Sequence, residues 1–176
     1  MFAGVFAYAV VNSFLLIDDL GMAAQHHGFS YSIAACAYVA GSFTSNRLVR
    51  LVGIDRAIVI GLSAGMFFAT IAVVASSLLP LSVPLVMIPG LCAFFSTSLI
   101  LPVGFSMAVS LFPARGGSAS AVVGFVQLTL AGISSGIAAT LYDNTTMPLH
   151  LFTLGCGIAA TVVWVAGRNV RRRLPV

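Results

Sequence analysis

From Gly116 to Tyr142 the chain contains no charged residue; Arg115 precedes this run and Asp143 follows it. As a helix, such a run is long enough to cross about 30 Å of hydrocarbon. It is not uniformly bulky. Gly117, Ser120, Gly124, Gln127, Ala131, Ser134 and Ala138 recur at helical spacing, so they share one face, and all but Gln127 are small. Thr129, Gly132, Gly136 and Thr140 form a second stripe carrying a GxxxG, and Val122, Val126, Leu130, Ile133 and Ile137 fill the remaining face. This pattern predicts a helix pressed between other helices on two sides, with its third side towards lipid. Gly117, Ser120, Gly124, Gly132 and Gly136 are its helix-packing or interface candidates. Gln127, near mid-membrane, either lines a polar path or makes one interhelical hydrogen bond; the sequence leaves both open.

Other segments of the same kind surround this one. Hydrophobic residues make up 60% of the 176, charged residues only 7%, and the mean hydropathy is +1.10. A water-facing surface cannot be built from so few charges without aggregating, so the chain reads as an integral membrane protein with the lipid bilayer as its surroundings. Six apolar segments are predicted as helices of a single bundle, at about 2–17, 29–49, 57–79, 85–112, 117–142 and 147–167. The first lacks a positive n-region and a clear cleavage site, so it is read as a helix rather than a signal peptide. The fourth is interrupted by Pro89-Gly90 and Pro102. Cys36, Cys92 and Cys156 fall in different apolar runs without metal-ligand spacing and read as buried small hydrophobes.

All eight cationic residues are arginines: Arg47, Arg50, Arg56, Arg115, Arg168, Arg171, Arg172 and Arg173. With six crossings and the N-terminus inside, every one of them falls in an inner segment. The outer loops hold Asp18, Asp19, Asp143 and the three histidines. The positive-inside rule therefore predicts both termini in the cytoplasm. The same clustering gives no basic groove with interleaved aromatics, so nucleic acid is not an expected partner. His26 and His27 are placed in a solvated outer loop with Asp18 and Asp19. No acidic, basic or histidine side chain lies at the middle of a segment. Uncharged polar residues collect in the first, second, fourth and fifth segments, including Tyr8, Asn12, Ser13, Tyr38, Thr44, Ser96, Thr97, Ser98 and Gln127. The third and sixth are poorest in them. This divides the helices into a polar-lined set and a lipid-facing set.

The stretch Gly117-Ser118-Ala119-Ser120-Ala121-Val122-Val123-Gly124-Phe125-Val126-Gln127, directly after Phe112-Pro113-Ala114-Arg115-Gly116, resembles the eleventh helix of bicyclomycin/chloramphenicol-resistance-type drug:proton antiporters. These form a bacterial branch of the major facilitator superfamily. Ser45 to Arg56 is similar to the Gly/Arg loop after the eighth helix, and Asn12 to Leu16 followed by Leu20-Gly21 to the end of the seventh. The resemblance spans essentially the whole chain and departs at three places. Ser13 stands where proline is common, Val103 follows Pro102 where Asn is frequent, and Asp55 replaces a usual Arg or Lys. It covers only the second six-helix half of such a transporter. The expectation is a fragment, a truncated gene product, or a half that pairs with another chain.

The resemblance implies an all-α membrane protein, one half of a major facilitator fold, in the bacterial inner membrane. It implies the C-terminal half of a small-molecule efflux transporter, whose partner is the missing N-terminal half or a second copy of itself. Tyr8, Asn12, Ser96, Ser98 and Gln127 would touch the small-molecule substrate or its water. Arg47, Arg50, Gly53 and Arg56 would form a cytoplasmic gating loop. The carboxylates for proton coupling are expected on the other half, since none lies in these spans. The alternative is a truncated membrane protein that acts only with a partner, if at all. No catalytic residue, metal site or cofactor is expected: His26-His27 lacks a helical i,i+4 partner for a metal, and no nucleophile–base pair is evident.

Overall fold

The computed structural model describes residues 1–173, with side chains through Arg168; Arg171, Arg172 and Arg173 of the C-terminal cationic cluster lie outside the described side chains. Six long helices succeed one another: α1 (Phe2–Ser13), α2 (Ala24–Val52), α3 (Ile54–Leu78), α4 (Val83–Ser110), α5 (Gly116–Thr140) and α6 (Met147–Arg173). A π-helical turn, Phe14–Asp19, extends α1, and a short 3-10 turn, Pro113–Arg115, leads into α5. The described residues form no strand. Five stretches are long and apolar enough to cross a membrane: Phe2–Asp19, Ile54–Leu78, Val83–Ser110, Pro113–Thr140 and Met147–Arg168. The chain is thus an all-helical protein suited to a membrane environment.

The second helix departs from the sequence expectation. At 29 residues it is about 43 Å long, and it begins at Ala24 rather than near Phe29. Ser30, Tyr31, Ser32, Ser42, Thr44, Ser45, Asn46 and Arg47 spread polarity along it, so it does not join the five most apolar stretches. The fourth helix runs unbroken from Val83 to Ser110 through Pro89 and Pro102.

Local chemistry sets the ends. Gly53 closes α2 and opens α3 with φ +83°, a left-handed backbone that glycine adopts without strain. Arg50 in the last turn of α2 and Asp55 in the first turn of α3 each complement the helix dipole. Between α5 and α6, Asp143 accepts from the Thr145 N–H at 3.1 Å and the Thr145 hydroxyl at 2.6 Å, an Asx-type turn.

The helices pack as two interlocked triplets. The first helix of each triplet lies against the second helix of the other: α1 on α5, and α4 on α2. The third helices α3 and α6 pack on each other, while α3 also meets α4 and α6 also meets α1. The core has two parts. One gathers Ala7, Tyr8, Val11, Leu15, Leu16, Val86, Ala138 and Leu149; the other gathers Ile58, Leu62 and Val103. Contacts at the loops show which chain ends share a side. Tyr142 donates a hydrogen bond to Asp19, and Thr146 bonds Ser76 at 3.0 Å. The three aspartates Asp18, Asp19 and Asp143 therefore sit together at one end, and the interhelical arginines at the other.

Within the chain, close helix approach depends on Gly41 and Gly90 rather than on the packing candidates of α5. A Cβ added at Gly41 on α2 would overlap Ser98 of α4, and one at Gly90 on α4 would overlap the Tyr8 ring of α1. By contrast, a Cβ at Gly117, Gly124, Gly132 or Gly136 would meet nothing within 4 Å.

Candidate functional site

The buried polar side chains concentrate where α1, α2 and α4 meet. Tyr8 and Asn12 are one turn apart on α1, so both point the same way, and both are buried. The Tyr8 hydroxyl donates to the Val86 carbonyl of α4 at 2.7 Å and lies 3.4 Å from Asn12 Oδ1. Its ring meets Phe94 edge-on at 6.4 Å. Gly90, lacking a side chain, gives that ring its space.

On the α2 side, Ser13 Oγ lies 3.1 Å from His27 Nε2. Tyr31 donates to the Ala9 carbonyl at 2.7 Å, and its ring stands edge-on to His27 with centroids 5.0 Å apart. Ser30 and Ala34 continue the buried face of α2. Tyr8, Asn12, Ser30, Tyr31 and Ala34 enclose a cavity of about 10 Å³, at the lower bound for one water. A neighbouring cavity of about 20 Å³ lies on the other side of Tyr8, bordered by His150 and Thr153.

His27 corrects the sequence reading. It does not sit in a solvated loop; it belongs to the first turn of α2 and is only 8% exposed. The π-turn and the short link from Leu20 to Ala23 reverse the chain and bring the imidazole against Ser13. The signal was present in the spacing: 27, 30, 31 and 34 follow the helical repeat that Gly41 and Ser45 continue.

The five substrate-cavity candidates are not gathered into one site. Tyr8 and Asn12 share the seam. Ser96 and Ser98 are buried but bond carbonyls of their own helix, Cys92 at 2.7 Å and Phe95 at 2.8 Å. Ser96 faces Gly65 of α3, and Ser98 faces Gly41 of α2. Gln127 is half-buried on α5. The small face of α5 divides along its length. Its later part, Ala131, Ser134 and Ala138, is buried, and Ser134 donates to the Ala3 carbonyl of α1 at 2.8 Å. That part meets the chain's own first helix rather than an absent half.

At the arginine end, Arg47, Arg50 and Arg56 are exposed. Gly53, Asp55 and Arg56 border an open groove of about 610 Å³ with Met107. No group of three or more metal-ligating side chains occurs among the described residues. At the opposite end, partial burial and the hydrogen bond to Asp19, with Asp18 and Asp143 alongside, push the Tyr142 phenol up to about 12. No family model, curated protein or solved structure matches the chain.

Proposed function

We propose that the chain is the C-terminal six-helix half of a major-facilitator-type exporter of small, drug-like molecules, seated in the bacterial inner membrane with both termini in the cytoplasm. The observation that carries this reading is the crossed pairing of the two triplets, α1 with α5 and α4 with α2. Three helices per triplet give the second an inverted course through a bilayer, and inverted three-helix repeats build each half of such transporters. The collection of interhelical arginines at one end supports the orientation. Exposed apolar side chains on α2 and α5, among them Phe29, Phe43, Val122 and Phe125, supply surface for a second half.

In this reading substrate binds between the halves. Tyr8 and Asn12 contribute from α1, and Gln127, half-buried on α5, contributes separately. Ser96 and Ser98 tighten α4 against α3 and α2. Arg47, Arg50 and Arg56, turned at Gly53, close the cytoplasmic side against the partner. The carboxylates stand only at the ends of the apolar stretches, Asp18 and Asp19 closing the first and Asp55 in the opening turn of α3, which favours a second reading: a truncated membrane protein that transports nothing alone and acts only with a partner, if at all. Complementation tests both. The chain is co-expressed with the N-terminal six helices of a drug:proton antiporter in cells lacking their own efflux pumps, and intracellular chloramphenicol is measured. Lower accumulation with both halves than with either alone supports the transporter half. Crosslinked pairing without efflux leaves only the second reading. Efflux by this chain alone overturns the half-transporter assignment.

A further inference from the structure

We infer that a phospholipid with an anionic headgroup occupies the groove between the end of α4 and the start of α5. The groove holds about 380 Å³, with Ala108, Leu111 and Phe112 on one side and Ala119, Val122 and Val123 on the other. That volume lies in the range of sites that take small molecules. Leu111, Phe112 and Val122 are largely exposed. Both helices belong to stretches apolar enough to cross a membrane, so these side chains meet hydrocarbon rather than water. A concave apolar surface at that depth is filled by an acyl chain. On the helical wheel Ala119, Val122 and Val123 lie away from Gly117 and Gly124, so a lipid here leaves the small stripe of α5 free.

Arg115 borders the same groove and gives it a direction. It immediately precedes α5, whereas Val122 and Val123 lie about two turns further in, roughly 10 Å along the axis. The cation therefore stands at the end of the crossing stretch, where headgroups lie, and the apolar wall continues inward from it. A phospholipid has the same order, phosphate outermost and acyl chain within. Ser118, in the same wall, adds a hydroxyl that can donate to phosphate. The four carboxylates of the chain are Asp18, Asp19, Asp55 and Asp143, and none of them borders the groove to neutralise the guanidinium. A guanidinium bonds phosphate through charge-assisted hydrogen bonds, and a zwitterionic headgroup brings its own ammonium to compete. The charge thus selects a headgroup that is negative overall.

A second groove supplies the contrast. Between α3 and α4, Phe68, Ile71, Leu85 and Ile88 border about 390 Å³, and no arginine stands among them. It offers equal room for hydrocarbon and no basis for choosing a headgroup. The site at Arg115 rests on the membrane setting of these helices and not on the transport reading.

Photolabelling of the purified full chain in lipid nanodiscs tests it. Two probes carry the same photoreactive group at the middle of an acyl chain; one is a phosphatidylglycerol, the other a phosphatidylethanolamine. In wild type the phosphatidylglycerol probe should label residues 108–123 about fivefold more than the other, the selectivity that one arginine supplies at a membrane surface. The α3–α4 groove should take both probes equally. Arg115→Gln should equalise the two at 108–123 while labelling there persists. Arg50→Gln, at the same end but outside the groove, should keep the preference. Val122→Trp, which fills the groove, should lower labelling by both probes. Equal labelling at 108–123 in wild type overturns the proposal, as does a preference that survives Arg115→Gln. So does a groove closed to both probes in a chain that runs as a dimer and becomes a monomer in Val122→Trp, because a second copy then fills it. If Val122→Trp does not fold, the Arg115→Gln comparison decides, since that side chain is exposed.

Discussion

At the residue scale, the fold depends on a few atoms placed between helices. Tyr8 is 5% exposed and held by the Val86 carbonyl, so its ring has little freedom to yield. Gly90→Ala inserts a methyl into that ring's position and should destabilise the protein by about 1–3 kcal/mol, the usual cost of overpacking. Gly104 on the same helix has open space at its Cβ, so Gly104→Ala should be neutral or stabilise by up to about 1 kcal/mol through helix propensity. Thermal unfolding of both variants in detergent checks the contrast. Tyr142 makes a different residue-scale prediction. Its folded value, about 12, lies above the ordinary phenol value of about 10, so the fold favours the protonated phenol. The tether to Asp19 contributes fully below about pH 10 and is lost as the pH climbs towards 12. Tyrosinate absorbance of wild type minus that of Tyr142→Phe should isolate one group titrating in that window.

At the element scale, α5 uses its length in two ways. Its later part is fastened to α1 through Ala131, Ser134 and Ala138, with Ser134 bonded to Ala3. Ser134→Ala should cost about 1 kcal/mol, read as a lowered unfolding midpoint. Gly124 and Gly117 occupy the earlier part with no neighbour within 4 Å of a Cβ. Gly124→Leu should leave the folding of the isolated chain unchanged. If that part of α5 meets a second half, the same variant should abolish crosslinking to it, and unchanged crosslinking would place the interface elsewhere. The second helix shows why segment edges read from hydropathy shift. Gln25, His26 and His27 are polar and end an apolar run, yet they complete a helical turn because His27 finds Ser13 across the seam.

At the scale of the whole molecule, the question is how many helices cross the bilayer. Five stretches are clearly apolar enough, and α2 is the more polar sixth long helix. Six crossings return the C-terminus to the side of the N-terminus; five leave it opposite. Reporters fused after Val176 and within the Leu20–Ala23 link should give opposite signals, with the C-terminal one cytoplasmic. Matching signals would remove α2 or another helix from the membrane. The packing offers a reason for α2 to cross despite its polarity. Its Ser30, Ala34, Gly41 and Ser45 are buried, and Ser45 donates to the Leu99 carbonyl of α4 at 2.7 Å, so much of that polarity is satisfied before it meets lipid.

Hydropathy and charge are properties of short stretches, so the all-helical character, the long apolar helices and the separation of the arginines from Asp18, Asp19 and Asp143 were legible in the residues themselves. The small face of α5 was legible too, because helical spacing alone defines a face. Which helix that face meets was not. Tyr8 and Val86 stand 78 residues apart, and nothing local to either specifies their meeting. The same holds for Gly41 against Ser98 and for Ser134 against Ala3. His27 is the sharpest case. Two adjacent histidines between apolar runs look like a loop, and only the turn that brings the start of α2 against Ser13 buries one of them. The Gly/Ser/Ala run that first marked α5 as a helix between helices is half used within the chain, and its other half still faces outward.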